Sequence, residues 1–230
     1  MATDLLDDAA TIDLTLSYLD ELDALGRAVG QAIREIFEGL TAVEKESLAD
    51  FIREASPYIN AGHTGGADLA SAYLAELTGT TPALIDLRFA EAPLDSAYHR
   101  LWKQLGNDYS YEDARQSGAS VAESTGYDSA HEGGSKRMAH PGTKVRGYRR
   151  VINPTACEWC QVVSTQLYRS AESAHATRHH HCKCTVVAVA WGDAAGAKIN
   201  QARLKALRQS GGITRASAAR ERNRARARGR

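Results

Sequence analysis

Two short runs of the chain carry the residue types that can do chemistry. Cys157-Glu158-Trp159-Cys160 holds one pair of thiols. A gap of 21 residues separates it from the second pair, Cys182-Lys183-Cys184, which is entered through His179-His180-His181. These are the only 4 cysteines in 230 residues. Two close thiol pairs, one flanked by imidazoles, supply the donors of a tetrahedral metal centre, and the gap lets one ion pin two separate segments together. Zinc is the expected ion, because thiolate and imidazole select it. Cys157, Cys160, Cys182 and Cys184 suffice as ligands. Cys182-x-Cys184 is a tight bite, however, and His179, three residues before Cys182, or His181 could complete the set instead.

Other cysteine chemistries fit less well. The opening Met-Ala-Thr-Asp-Leu-Leu-Asp-Asp has neither a basic stretch nor an apolar run of the secretory kind. Folding in a reducing cytoplasm is therefore expected, where structural disulfides are rare. Nothing around Cys157-x-x-Cys160 reads as the βαβ unit of a redox thiol pair. The run Pro154-Thr-Ala-Cys157-Glu-Trp-Cys160 approaches a zinc-deaminase pattern, but it lacks the Pro-Cys adjacency and no His-x-Glu precedes it.

The neighbouring residues extend the pattern. Gly147-Tyr148-Arg149-Arg150-Val151 precedes the first pair, and Tyr168-Arg169-Ser170-Ala171 lies between the pairs. His179-His-His-Cys182-Lys-Cys184 then runs into Thr185-Val-Val-Ala-Val189. Over about residues 145–190 this order resembles the C-terminal signature of the phage Mu F-like minor capsid (head morphogenesis) family, in the form encoded by phages of actinobacteria. That signature has an Arg-Val strand, a Cys-x-x-Cys knuckle, a Tyr/Ser segment, a His-x-x-Cys-x-Cys element and a closing apolar strand. Arg178 stands where the family usually has an aromatic residue, and Gln161–Leu167 lacks the glycine often found there. The resemblance implies a low-copy component of a virus head near the portal, assembled in the host cytoplasm and resident in the capsid interior. It also brings an alternative, because such proteins are sometimes described as capsid maturation proteases.

Charge is distributed along the chain in a way that the net value of zero hides. Residues 1–60 carry 13 acids against 4 bases, and residues 201–230 carry 10 bases against the single acid Glu221. The C-terminal run places Arg215, Arg220, Arg222, Arg224, Arg226, Arg228 and Arg230 among small or polar residues, with no large apolar side chain to bury. Such a segment cannot offset its ordering entropy alone. Its expected use is sequence-independent contact with phosphates of double-stranded DNA through release of condensed counterions. An acidic protein surface, such as a portal or major capsid subunit, is the other partner its charge would fit. No apolar run is long enough for a membrane span.

The elements that must position these residues read as α+β. The fold class expected is a mainly helical N-terminal region, a small zinc-stitched β-containing module and a basic tail. Ile12, Leu16, Leu19, Leu22, Val29, Ile33, Ile36 and Phe37 recur at helical spacing. Thr41-Ala-Val-Glu44 is a capping box for a second helix carrying Leu48, Phe51 and Ile52, which Pro57 is expected to end. A third helix is expected over about 65–78 with Gly79 as its stop, and a fourth from Asp95 through Tyr98, Trp102 and Leu105. Ser110-Tyr-Glu-Asp113 starts a further one. The five glycines between 126 and 147 read as loop or broken helix. Strands are expected at 148–152 and 185–190, and a helix over about 193–209 before a Gly211-Gly212 hinge. The divisions expected are a helical region 1–125, a Gly-rich linker 126–147, a Cys/His module 148–192, and a helix with Arg tail 193–230.

Two functional classes follow. One is a non-enzymatic virion component whose four-ligand zinc stabilises rather than catalyses. The other is the maturation protease, for which Ser110, Ser124, His63, His99, His131 and His140 are available without a recognisable constellation. Gly62-His63-Thr64-Gly65-Gly66 reads as a turn. A cellular zinc-ribbon nucleic-acid binder is a third, fainter reading, disfavoured because the acidic helical half would repel a duplex.

Overall fold

The computed structural model describes residues 8–40, 47–81, 111–139, 145–176 and 183–210. The apolar spacing at the start of the chain produces two long helices, α1 (Asp8–Gly39) and α2 (Ser47–Thr78). α1 turns Leu19, Leu22, Val29, Ile33 and Phe37 inward, and α2 answers with Phe51, Ala55, Ile59 and Leu74. Pro57 does not end α2 as expected, since it lies inside the helix on its exposed side. Its missing N–H leaves the Arg53 carbonyl facing water, where solvent can satisfy it. The buried stripe continues across the proline from Phe51 and Ala55 to Ile59 and His63, and that packing outweighs a local cost of about 3 kcal/mol. Gly79, at φ 61°, ends the helix as expected.

The third long helix, α3 (Tyr111–Met138), packs along both α1 and α2. It corrects the expectation of a loop or linker over 126–147, because residues 126–138 are helical. The expected turn at Gly62–Gly66 is corrected too, because that run lies within α2. These glycines are places where two helices touch. A Cβ on Gly66 would run into the Ala130 carbonyl, one on Gly133 into the His63 carbonyl, and one on Gly126 into the backbone of Gly30. Close approach explains why α3 looks polar in sequence yet is largely buried over residues 126–138. Small residues let it sit between two helices, so it shows no single apolar stripe.

Beyond α3 the chain forms a three-stranded antiparallel sheet in the order β2-β1-β3. β1 (Gly147–Val151) is central, pairing Tyr148 with Tyr168 of β2 (Leu167–Tyr168) and Arg149 with Val187 of β3 (Thr185–Val189). β1 and β3 lie close to where the sequence placed them, while the two-residue β2 was too short to carry a pattern. Three further helices complete the described chain: α4 (Glu158–Val163), α5 (Ala171–Ala176) and α6 (Ala195–Gln209).

One buried cluster joins the helices to the sheet, with Leu22, Leu74 and Ala130 in the same group as Val151, Val186 and Ile199. Within it Tyr18 stacks on Tyr73 at 4.6 Å, and the Tyr73 hydroxyl donates to the Ala188 carbonyl at 3.2 Å, tying α2 to β3. Burial pushes both phenols far above their ordinary range, so both stay neutral donors. The Tyr148 hydroxyl donates to the Met138 carbonyl at 2.7 Å and fixes the end of α3 against β1. Arg150 is fully buried and reaches the last carbonyls of α5, Ala174 and His175. A cation there complements the negative end of that helix. A second cluster around Phe37 and Phe51 closes the far end of the bundle. Among the described residues, no helix is long and apolar enough to cross a membrane.

Candidate metal centre

The described cysteines lie where the sheet meets α4 and α6. Cys157 is the residue before α4 and is exposed, while Cys160, three residues on, is buried in the helix. Cys184 directly precedes β3 and is also buried. Cys160 and Cys184 meet in one small cluster with Ile152, Ala156 and Leu207. The sheet thus brings Cys184 to Cys160. The Asn153 backbone N–H donates to the Cys184 sulfur at 3.4 Å.

Two residues of α6 hold the segment that supplies this donor. The Asn200 side-chain oxygen accepts the Ile152 N–H at 2.9 Å, and its amide donates to the carbonyls of Arg150 at 2.8 Å and Ser164 at 3.0 Å. Arg203 donates to the Ile152 carbonyl at 2.5 Å. Both backbone groups of Ile152, at the exit of β1, are therefore taken by α6, and Asn153 follows directly. Burial lowers the Arg203 pKa from its ordinary value, while Asp20 and Cys184 act in the opposite direction. Neither Asn200 nor Arg203 was expected from sequence. A lone Asn in a helix has no motif, although its place among the inward positions Ile199 and Leu207 was a signal available from periodicity.

Among the described residues, no group of three or more His, Cys, Asp or Glu side chains is arranged to hold a metal ion. Cys157, Cys160 and Cys184 do not make a centre by themselves. The other candidate ligands, His179, His181 and Cys182, lie outside the described residues, as do the Arg215–Arg230 positions and the capping box at 41–44. The expected helix from Asp95 through Leu105 and the residues His99, Ser110 and His140 lie there too. Of the expected zinc donors, the described residues bring two, Cys160 and Cys184, into one cluster. Two segments bring buried thiols to one place, a backbone N–H faces one sulfur, and the run containing His179, His181 and Cys182 leads into Cys184.

The serine and histidine candidates are dispersed. His63 is buried in α2, and burial followed by the positive Lys136 holds its pKa below the usual histidine range, with Glu132 acting in the opposite direction. His131, buried in α3, lies 3.5 Å from the Thr185 hydroxyl. Ser135 and His175, 3.2 Å apart, form a serine–histidine pair that the sequence did not single out. It ties α3 to α5, and its serine is buried within the helix packing.

Together these features define a mostly helical α+β protein with a small antiparallel sheet and a cysteine-bearing end. The family described as VG15 protein matches residues 6–210, and the chain belongs to this family of phage gene products. No match was found among curated proteins or among solved structures.

Proposed function

We propose that the chain is a minor capsid (head morphogenesis) protein of a tailed phage, a non-enzymatic component of the capsid interior near the portal. The observation that carries this reading is a coincidence of order. The resembling segments, Arg149–Val151, Cys157–Cys160, Tyr168–Ser170 and Thr185–Val189, fall in sequence on β1, α4, the β2 region and β3. They follow the element order of the Mu F-like signature in a chain that belongs to a phage family. In this reading one zinc is held by Cys157, Cys160 and Cys182 with Cys184 or His179, and four protein ligands leave no open position for catalysis. The helical region docks on portal or major capsid subunits, and the arginines from Arg215 to Arg230 contact packaged double-stranded DNA without reading its sequence.

Mass spectrometry of purified particles tests the assignment. The intact chain is expected at a few copies per particle, and its absence from mature virions would contradict a structural role. Incubation with the major capsid precursor is expected to leave the precursor's mass unchanged. Specific trimming abolished by a single serine or histidine substitution would install the protease reading in its place.

A further inference from the structure

The arginine tail has a folded neighbour in sequence of the same charge. A groove of about 490 Å³ runs between α6 and the junction of β1 with the end of α4. Arg149, Lys205 and Arg208 are its charged lining residues, and no Asp or Glu is among its lining residues. The remaining polar lining comes from Ser164, Thr165, Asn200 and Gln201. In a chain whose acids equal its bases, a concave surface with three cations and no carboxylate is a marked local excess. Such a surface concentrates anions, because the low-dielectric walls focus the field.

The groove has a rigid frame. Arg149 projects from the central strand and reaches the carbonyls of Ser164 and Thr165, each at 3.4 Å. Asn200 is buried and fixed by three hydrogen bonds to backbone groups of Arg150, Ile152 and Ser164. α6 carries Lys198, Arg203, Lys205 and Arg208 with no acid, and it divides them by use. Arg203 is half-buried toward Ile152 and Asp20, whereas Lys205 and Arg208 are exposed along the groove. In sequence, α6 leads within a few residues to Arg215 and the arginine series.

We propose that this groove is a second phosphate-binding surface, taking backbone phosphates of the same nucleic acid that the arginine tail contacts. The inference rests on the DNA contact stated under the proposed function. It makes that contact bipartite, with a folded set of cations preceding the arginine series. The groove sets where the duplex lies against the sheet end of the molecule, because its cations are held in place by the strand and helix that carry them.

The test uses the full chain and a duplex DNA probe, with affinity measured against salt concentration. Lys205→Gln with Arg208→Gln removes two exposed charges from the groove. For every phosphate no longer neutralised the log–log slope should flatten by about 0.9, so a flattening of about 1.8 is expected. The exchange Lys205→Arg with Arg208→Lys should retain the native slope, since counterion release follows charge. Arg27→Gln with Arg53→Gln removes two exposed charges from α1 and α2 and should leave it unchanged. Circular dichroism identifies variants that retain the fold.

An unchanged slope in the groove variant, or equal flattening in the two charge-removal variants, would overturn the groove. If deletion of 213–230 abolished binding while the groove variant bound normally, the groove alone would fall. Failure of the intact chain to bind duplex DNA would remove both the DNA reading and this inference. Inorganic phosphate provides the last arm. If millimolar phosphate saturates the groove and the duplex does not compete with it, the site is for a free anion and the backbone assignment is wrong.

Discussion

Around α3 the helices approach until backbone meets backbone, whereas at the junction of β1 with α6 the space is filled by side chains that hydrogen-bond to backbone. Gly66, Gly126 and Gly133 make the first arrangement by lacking atoms. Asn200 and Arg203 make the second by carrying particular polar atoms to particular carbonyls and amides. The two regions should therefore fail in opposite ways. The bundle is sensitive to added volume, and the sheet end to removed hydrogen-bonding groups. The difference also suits the proposed roles, since a close-packed bundle needs no ligand while the sheet end brings together thiols from two distant segments.

The largest effect should come from adding volume to the bundle. Gly133→Leu would drive a side chain into the His63 carbonyl and should cost about 3 kcal/mol or more, at the upper end of overpacking effects. Gly39→Ala is the matched control, because nothing lies within 4 Å of a Cβ there. It should change stability by less than about 0.5 kcal/mol. Urea denaturation of the two variants checks this, and similar destabilisation in both would break the close-approach account.

Removing a polar bridge should cost less. Asn200→Ala leaves the Ile152 N–H and the Arg150 and Ser164 carbonyls without their partner, and should cost about 2 kcal/mol. Hydrogen exchange should show faster opening at residues 150–153 first, while the amides of α1 keep their protection. Uniform acceleration across the bundle would mean that Asn200 acts through the shared core rather than through the β1 exit.

The smallest effect is a pH dependence within the bundle. The folded state holds the pKa of His63 below the ordinary value of about 6.5, so below that pH the unfolded chain binds more protons. The contribution is fully present above about pH 6.5 and falls as pH drops toward the folded value. The melting temperature of the native chain should decline over that window more than that of His63→Gln. Equal declines would assign the acid sensitivity to other groups.

Much of this architecture was legible, and the exceptions share a cause. The stripes of α1 and of the start of α2, the Gly79 stop, the strands at 147–151 and 185–189 and the course of α6 all follow from periodicity or turn chemistry. α3 and the middle of α2 were misread because glycine signals both a turn and a close helix contact, and local sequence does not separate the two. Only the facing residues Ala130, His63 and Gly30 decide between them, and those are distant in the chain. Pro57 was misread for a related reason, since its cost is local and the compensating packing is not. At the candidate site, the cysteine spacing singled out two segments, and the fold brings one thiol of each, Cys160 and Cys184, into one cluster. Asn200 had only its inward place beside Ile199 to mark it, because its three partners come from backbone, which carries no residue identity.

Zinc content per chain, measured on protein purified without a histidine tag, tests the account of the cysteine end most directly. The proposed centre of Cys157, Cys160 and Cys182 with Cys184 or His179 predicts about one equivalent of tightly held zinc. Substituting Cys157 or Cys182 by serine should release it. Less than about 0.3 equivalents in the native chain, at affinities expected of structural sites, would contradict the account and leave the four thiols without a metal role.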